Sequence, residues 1–306
     1  MKELIRNTAK NKALVVMALP AMVLLFMFSY MPMYALTVAF KNFNYMEGIM
    51  GSAWCGLNNF KFLISSKSLS WRLLRNTVGY YLLFTALGTV ANVGLALLIN
   101  ECASRRYVKV AHTVMIMPTF ISWIAVTFIV KAFLNTGNGL VNHLLEAAGL
   151  QKVNWYLSPK YWPVILSIIT LWKGTGYGSI IYLSALAGMD AQVFEAADLD
   201  GATKLQKIRY ITLPMLTNLI SIKLLLSLGG IMTSNTGLFY RVTLNTGILY
   251  STTQTIDAYI MNALTSGNSQ FGMIAAATLF QSAVGAMMLL LVNFVVRKVS
   301  PENALF

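Results

Sequence analysis

The chain has 306 residues, of which 57% are hydrophobic and 11% charged, and its formal net charge is +13. A soluble domain of this length needs far more charge to cover its surface, so the composition excludes one and points to a polytopic membrane protein with recurring apolar runs of about 18 or more residues. The excess of Lys and Arg does not mark a nucleic-acid binder, because the cations stand singly at the ends of apolar segments.

The first predicted span covers 13–40 and follows a basic start with Lys2, Arg6, Lys10 and Lys12. It is too long for a signal peptide, and no small-residue cleavage site follows its apolar run, so it is read as a retained helix. A loop over 41–75 comes next. Trp54, Cys55, Gly56, Leu57, Asn58, Asn59 and Phe60 occupy its middle, and Trp71, Arg72 and Arg75 near its end fit a helix at the membrane interface.

Further spans are predicted over 76–99, 112–133, 162–188, 214–235 and 271–296. The fold class is therefore all-α: six transmembrane helices forming a single domain over 1–306, with no separate soluble domain. Pro20, Pro32, Pro118, Gly174, Gly176, Gly178, Gly229 and Gly230 interrupt the spans, which suits either close helix packing or helix breaks beside a wet cavity. Lys173, near the middle of the fourth span, is costly in lipid and must face a partner, a cavity or another helix. The outer loop over 236–270 is rich in Thr, Asn, Tyr and Ser and poor in charge.

Six crossings put both termini on one side, together with the loops over 100–111 and 189–213. Those segments hold twelve of the 23 Lys and Arg residues in roughly 60 positions, against nine in roughly 100 on the other side when Lys131 at the outer end of the third span is included. The denser side is cytoplasmic, so both termini face the cytoplasm from the cell membrane. Cys55 and Cys102 then lie on opposite sides, as do His112 and His143, and no metal spacing, catalytic triad or paired-carboxylate arrangement is present. The chain is read as a non-enzyme. A secondary active carrier is the alternative, but the predicted spans contain no Asp or Glu to bind a proton or sodium ion.

Between the fourth and fifth spans lies a polar insert, EAADLDGATKLQKIRYITLP at 195–214. Its composition predicts two short helices bent at Gly201, with Asp190, Glu195, Asp198 and Asp200 in the first half and Lys204, Lys207 and Arg209 in the second. Pro214 suits an early position of the following helix. Ala196, Ala197 and Ala202 leave a low-relief surface that another protein can approach.

Glu195, Ala196 and Ala197, then Gly201 after three residues, then Ile211, Leu213 and Pro214 after nine more, form a fixed pattern. It resembles the EAA loop of the permease subunits of bacterial ATP-binding-cassette importers, with every defining position occupied. The resemblance implies a type I importer permease fold in which the loop over 189–213 is the coupling element. Its first short helix would enter a cleft on an ATPase subunit, with Glu195, Ala196, Ala197 and Gly201 in contact and Asp198 and Asp200 nearby. No GxxxxGK[ST] sequence occurs in the chain, so it binds no cofactor of its own, and ATP and Mg would sit on the partner ATPase dimer.

WKGTGYGSIIYLSALA at 172–187, leading into the insert, is similar to the fourth span of carbohydrate-importer permeases, above all those for complex oligosaccharides or polysaccharides. RNTVGYY at 75–81, MPTFISW at 117–123 and the stretch over 280–306 extend the resemblance over nearly the whole chain. It implies a second, homologous permease in a heterodimer and an extracellular sugar-binding lipoprotein as further partners, with no nucleic acid. A permease of the same class for a non-sugar solute is the other reading. Sugars offer apolar ring faces and hydroxyls, so a sugar path needs aromatic platforms beside amides and hydroxyls. Trp172, Lys173, Tyr177 and Tyr182 in the fourth span, Lys223 and Asn235 in the fifth and Trp123 in the third are the candidates. Each has a plainer role open to it: interface anchoring for Trp and Tyr, snorkelling for Lys223, helix capping for Asn235.

Overall fold

The computed structural model describes residues 12–61, 66–102, 104–267 and 270–299. Lys2, Arg6 and Lys10 of the basic start lie outside the described residues, as does the end of the chain beyond 299. Among the described residues there is no β-strand beyond a single bridge between Lys41 and Trp54. The chain divides into two compact units, one made of Met1–Ser66 with Gly267–Phe280 and the other of Lys67–Ser266 with Gln281–Phe306.

In the first unit, helix α1 (Val15–Phe40) is long and apolar enough to cross a membrane. It changes pitch where its sequence forces it: a π-type turn at Phe26–Tyr30 passes into a 3-10 segment, Met31–Phe40, that carries Pro32 in its first turn. The segment after α1 folds back on it. The Asn59 amide donates to the carbonyls of Ala39 (3.0 Å) and Lys41 (2.9 Å), and Trp54 stacks on Phe40 at 5.8 Å between ring centres.

The second unit contains α2 (Lys67–Asn100), α3 (Arg106–Phe120), α4 (Trp123–Phe133), the short α5 (Leu140–Ala147), α6 (Pro159–Ala187), α7 (Ala191–Leu199), α8 (Lys204–Gly230), α9 (Ile256–Thr265) and most of α10 (Phe271–Lys298). α2, α6, α8 and α10 each have the length and apolarity of a span, and the bent pair α3–α4 makes a further one if counted together. With α1 this is a multi-pass membrane protein.

Several boundaries differ from the sequence expectation, each for a visible reason. No breaker stands between Lys67 and Arg75, so α2 starts nine residues before the predicted 76 and absorbs the helix expected at the interface. Its first turns are held from the side instead. Arg72 donates to Gln254 Oε1 at 2.8 Å, Arg75 to the Ser251 carbonyl at 2.7 Å and Asn76 to the Gln254 carbonyl at 3.0 Å.

The third predicted span is not one helix. Pro118 sits in a 3-10 turn (Met117–Phe120) that ends α3, and Ser122 then caps α4 by accepting from Ala125 N at 3.2 Å; the two helices meet at 98°. The second short helix expected in the polar insert is instead continuous with the fifth span. Lys204–Lys207 runs through a π-type turn, Ile208–Thr212, into Leu213–Ser227. Pro214 stands in the first turn of Leu213–Ser227, directly after this π-type turn, as the sequence suggested, where its missing N–H costs little.

The expected outer loop is a packed element. Leu238, Phe239, Val242, Leu249 and Ala258 join Tyr80, Val126, Trp162 and Leu166 in the main core of this unit. Its many hydroxyls are compatible with burial because they bond locally: Thr243 Oγ1 donates to the Phe239 carbonyl at 2.6 Å and Thr253 Oγ1 to that of Leu249 at 2.9 Å, while Ile256 N donates across to Thr77 Oγ1 on α2 at 3.0 Å. A second core joins α2, α6 and α8 through Val93, Ala96, Tyr182, Leu186 and Leu216.

Small residues set the helix spacing. A Cβ on Gly176 would lie 1.9 Å from the Met115 carbonyl oxygen, and one on Gly285 would lie 2.7 Å from that of Gly229. Backbones in contact at this range leave no room for any side chain, which is how small residues serve helix packing in lipid.

Candidate functional site

α2, α4 and α6, together with the chain leaving α8, line a cavity of about 450 Å³. Tyr80, Phe84, Trp123 and Phe239 supply aromatic faces, and Tyr81, Thr85, Thr119, Thr170, Ser234 and Asn235 supply polar groups. The aromatic cluster is tight: the Tyr80 ring lies 4.8 Å from Phe239 and 5.3 Å from Phe84.

Of the seven residues predicted along a substrate path, the cavity brings Trp123, Lys173 and Asn235 together. The other four lie elsewhere. Trp172 points to a separate apolar cavity with Phe133, Val164 and Ile168, while Tyr177 is exposed and lines neither space. Tyr182 is fully buried in the second core, and Lys223 Nζ stands 4.7 Å from the centre of its ring. Sequence reasoning missed Tyr80, Tyr81, Phe84, Thr170 and Ser234. RNTVGYY, singled out as a family echo, carries the first two, yet only packing against the outer segment shows that they face a cavity.

Lys173 is placed at the corner between α3 and α4. Its ammonium donates to the carbonyls of Pro118 (3.1 Å), Thr119 (2.9 Å) and Ile121, and Thr119 Oγ1 donates back to the Lys173 carbonyl at 2.7 Å. A helix that stops inside the membrane leaves carbonyls unpaired at a cost of several kcal/mol each. A cation at a helix C-terminus satisfies them and complements the dipole. The break beyond α8 is treated in the opposite sense: Ser234 N donates to Asp257 Oδ2 at 2.6 Å, Ser234 Oγ to the same oxygen at 3.1 Å, and Gln281 Nε2 spans from Asp257 to the Met232 carbonyl at 2.7 Å.

Most cavity hydroxyls already have partners, such as Tyr81 with Ser227 at 2.7 Å. Two do not. Tyr80 Oη and Thr170 Oγ1 are buried without a hydrogen-bond partner. Asn235 remains exposed, its Oδ1 accepting from Leu238 N at 3.2 Å, so it caps the turn that follows it rather than the end of α8.

The polar insert forms the second candidate region. Asp190 caps α7, accepting from Gln192 N at 2.9 Å. The far end is closed by Gly201 at φ +74°: Gly201 N donates to the Asp198 carbonyl (3.1 Å) and Ala202 N to that of Ala197 (2.9 Å). This is a Schellman termination, and it explains the glycine at its fixed distance from Ala197, since the left-handed conformation costs other residues more. Thr203 and Gln206 then form a reciprocal capping box that starts α8.

Glu195, Ala196, Asp198, Asp200 and Gly201 are exposed, and Ala197 is half-buried. Two apolar residues that the sequence reading passed over, Leu199 and Leu205, are 90% and 78% exposed. Lys204 Nζ lies 3.6 Å from Glu101 at the end of α2, which ties the insert to a neighbouring helix end.

The family described as binding-protein-dependent transport system inner membrane component matches residues 85–301. The chain is 31% identical over 303 residues, 99% of its length and 93% of the other, to the polygalacturonan/rhamnogalacturonan transport system permease protein YteP of Bacillus subtilis (strain 168). It superimposes with a TM-score of 0.85, at 30% identity, on a chain of a bacterial ABC transporter involved in the import of the acidic polysaccharide alginate, covering 97% of this chain and 99% of that one. A chain of the bacterial alginate transporter in complex with an alginate pentasaccharide-bound periplasmic protein matches with a TM-score of 0.84, at 30% identity, over 96% and 97% of the two chains.

Proposed function

The chain belongs to the family of binding-protein-dependent transport system inner membrane components, as a transport subunit rather than an enzyme, and from that premise we propose that it forms half of the path for an oligosaccharide or polysaccharide fragment. A second, homologous permease supplies the other half. An ATPase dimer, which holds ATP and Mg, drives the cycle, and an extracellular sugar-binding lipoprotein delivers the cargo. Relatives that serve polygalacturonan/rhamnogalacturonan transport and alginate import support a carbohydrate cargo, as does a cavity whose aromatic faces stand beside unpartnered hydroxyls of Tyr80 and Thr170.

The single observation that carries the coupling role is the form of α7. It is a nine-residue helix closed at both ends, exposed along Glu195, Ala196 and Asp198, and tipped by an almost fully exposed Leu199. A stiff, exposed knob with an apolar tip suits insertion into a cleft, and the Asp198–Lys207 pair that ties it to α8, whose Lys204 in turn lies 3.6 Å from Glu101 at the end of α2, gives motion a route into the membrane helices. Glu195, Ala196, Ala197, Asp198, Asp200 and Gly201 are its contact residues. The higher density of Lys and Arg around it supports a cytoplasmic position for the insert and both termini. The whole of 1–306 acts as one permease domain.

Among the cavity residues, Trp123 and Asn235 are the cargo contacts, with Tyr80 and Thr170 added to them. Trp172 and Tyr177, which lie outside this cavity, are available to the path only on the side completed by the second permease. Tyr182 and Lys223 act at most through the packing of α6 on α8.

The test is uptake of labelled oligosaccharide by cells or vesicles carrying the assembled importer, with Glu195→Lys and Gly201→Trp as probes. Both variants are expected to insert in the membrane normally, to lose uptake and to bind the ATPase more weakly. Unchanged ATPase binding and uptake in both would overturn the coupling role, and transport driven by an ion gradient without ATP hydrolysis would favour a carrier.

A further inference from the structure

We propose that Lys173 is a positioning residue of the cavity: it holds the corner between α3 and α4 and thereby fixes the Trp123 ring, and the ring, not the ammonium, meets the cargo. This rests on the reading of the cavity as part of the cargo path.

Three observations converge. The three carbonyls of Pro118, Thr119 and Ile121 require three N–H donors, which is the whole supply of a lysine ammonium. Nothing is left over to bind a sugar hydroxyl or a uronate carboxylate without first breaking the corner. Next, Ser122 caps α4, and Trp123 is the first residue of that helix, so the orientation of the ring follows directly from the angle of the corner. Finally, Trp123 is held from two sides. Lys173 Nζ lies 5.2 Å from the ring centre, and a Cβ placed on Gly237 would come within 2.2 Å of the ring's Cγ, so the ring lies directly on that backbone.

The arrangement also accounts for where the charge sits. A cation lining a sugar path is usually read as a ligand-binding group, but a free ammonium there would attract any anion that entered. Held against backbone carbonyls, the ammonium instead supports a bent helix that presents an aromatic face, and no N–H is left for an entering group. Thr119 completes the clamp by returning a hydrogen bond to Lys173's own carbonyl.

Two readouts on the purified, assembled importer test this. The first needs no cargo: hydrogen exchange of the amides over 119–126. Lys173→Met is expected to speed exchange there by about tenfold or more, with the rest of α6 unchanged. Lys173→Arg, which keeps several donors, is expected to recover most of the protection, and Thr119→Val, which leaves the ammonium in place, to loosen the same amides to a smaller degree. The second readout is uptake kinetics. Lys173→Met is expected to raise KM about tenfold with the maximal rate kept within about threefold, Trp123→Ala to do the same, and the double variant to be no worse than Trp123→Ala alone.

Unchanged exchange at the corner in Lys173→Met and Thr119→Val, or multiplicative losses in the double variant, would overturn the proposal. If the native importer takes up no oligosaccharide, the functional reading fails, while the exchange measurement still decides whether Lys173 holds the corner.

Discussion

Lys207 Nζ lies 2.7 Å from Asp198 Oδ1, so the first turn of α8 is tied to the last turns of α7 across the left-handed Gly201. The pair bridges the bend without stiffening it through burial, since Asp198 is well exposed. An exposed pair of this kind contributes about 0.2–1 kcal/mol, and salt screens it. Asp198→Asn is therefore expected to leave thermal stability within about 2 °C of native yet to lower ATP-driven uptake a few-fold, an effect that high salt reproduces in the native protein. Exchanging the two residues, Asp198→Lys with Lys207→Asp, should restore part of the loss. Uptake measured across ionic strengths checks both statements.

Gly201 permits a sharper test of the same bend. Its φ of +74° is costly for a residue with a Cβ, although no neighbouring atom stands within 4 Å of where that Cβ would lie. Gly201→Ala should thus act through backbone strain alone, about 1–2 kcal/mol, fraying the end of α7. Gly201→Asn should cost less, because Asn tolerates this conformation. The order Gly, Asn, Ala in affinity for the ATPase, measured by co-purification of the complex, is the expected result.

Gly174 and Gly176 stand two residues apart on α6 and should behave in opposite ways. A Cβ on Gly176 would collide with the Met115 carbonyl at 1.9 Å, so Gly176→Ala has to push α6 away from α3 and is expected to destabilise or prevent folding. Gly174 has open space around it and lines the cavity. Gly174→Ala should fold normally, and larger substitutions there should narrow the cavity and reduce uptake of bulky oligosaccharides first. Detergent thermal shift and uptake of cargo of increasing length separate the two outcomes.

Asp257 accepts from Ser234 N, Ser234 Oγ and Gln281 Nε2 at the break beyond α8. Asp257→Ala leaves those donors short of an acceptor and is expected to cost about 1–3 kcal/mol. Asp257→Asn keeps one acceptor oxygen and should lose less. Exchange of the amides over 230–238, together with the melting temperature, reads the difference.

How much of this was legible in the chain depends on the range of the interaction. The apolar runs predicted the spans because lipid demands a continuous apolar helix, and they did so to within a few residues except where no breaker held the start back, as at Lys67, where a capping box moved it to Lys204, and where Pro118 broke the third span. The EAA spacing was readable for the same local reason: a helix end, a left-handed glycine and a capping box all lie within a dozen residues. The outer segment reads as a loop long enough to fold locally, but its hydroxyl-rich composition gives no sign that it joins the core. Burial there depends on partners such as Thr77 and Ile256, 179 positions apart in sequence.

Composition, periodicity and turn chemistry act over short stretches, and they suffice to read an all-α membrane protein with a polar insert of fixed spacing. Which polar residues serve a cavity and which serve the backbone is set by packing between distant segments. Lys173 and Trp123 are 50 residues apart, and the three carbonyls that occupy the lysine become available only because the helix carrying Pro118 ends beside it. A side chain's role follows from the unpaired groups that packing brings within hydrogen-bond reach, and no local pattern in the chain records those.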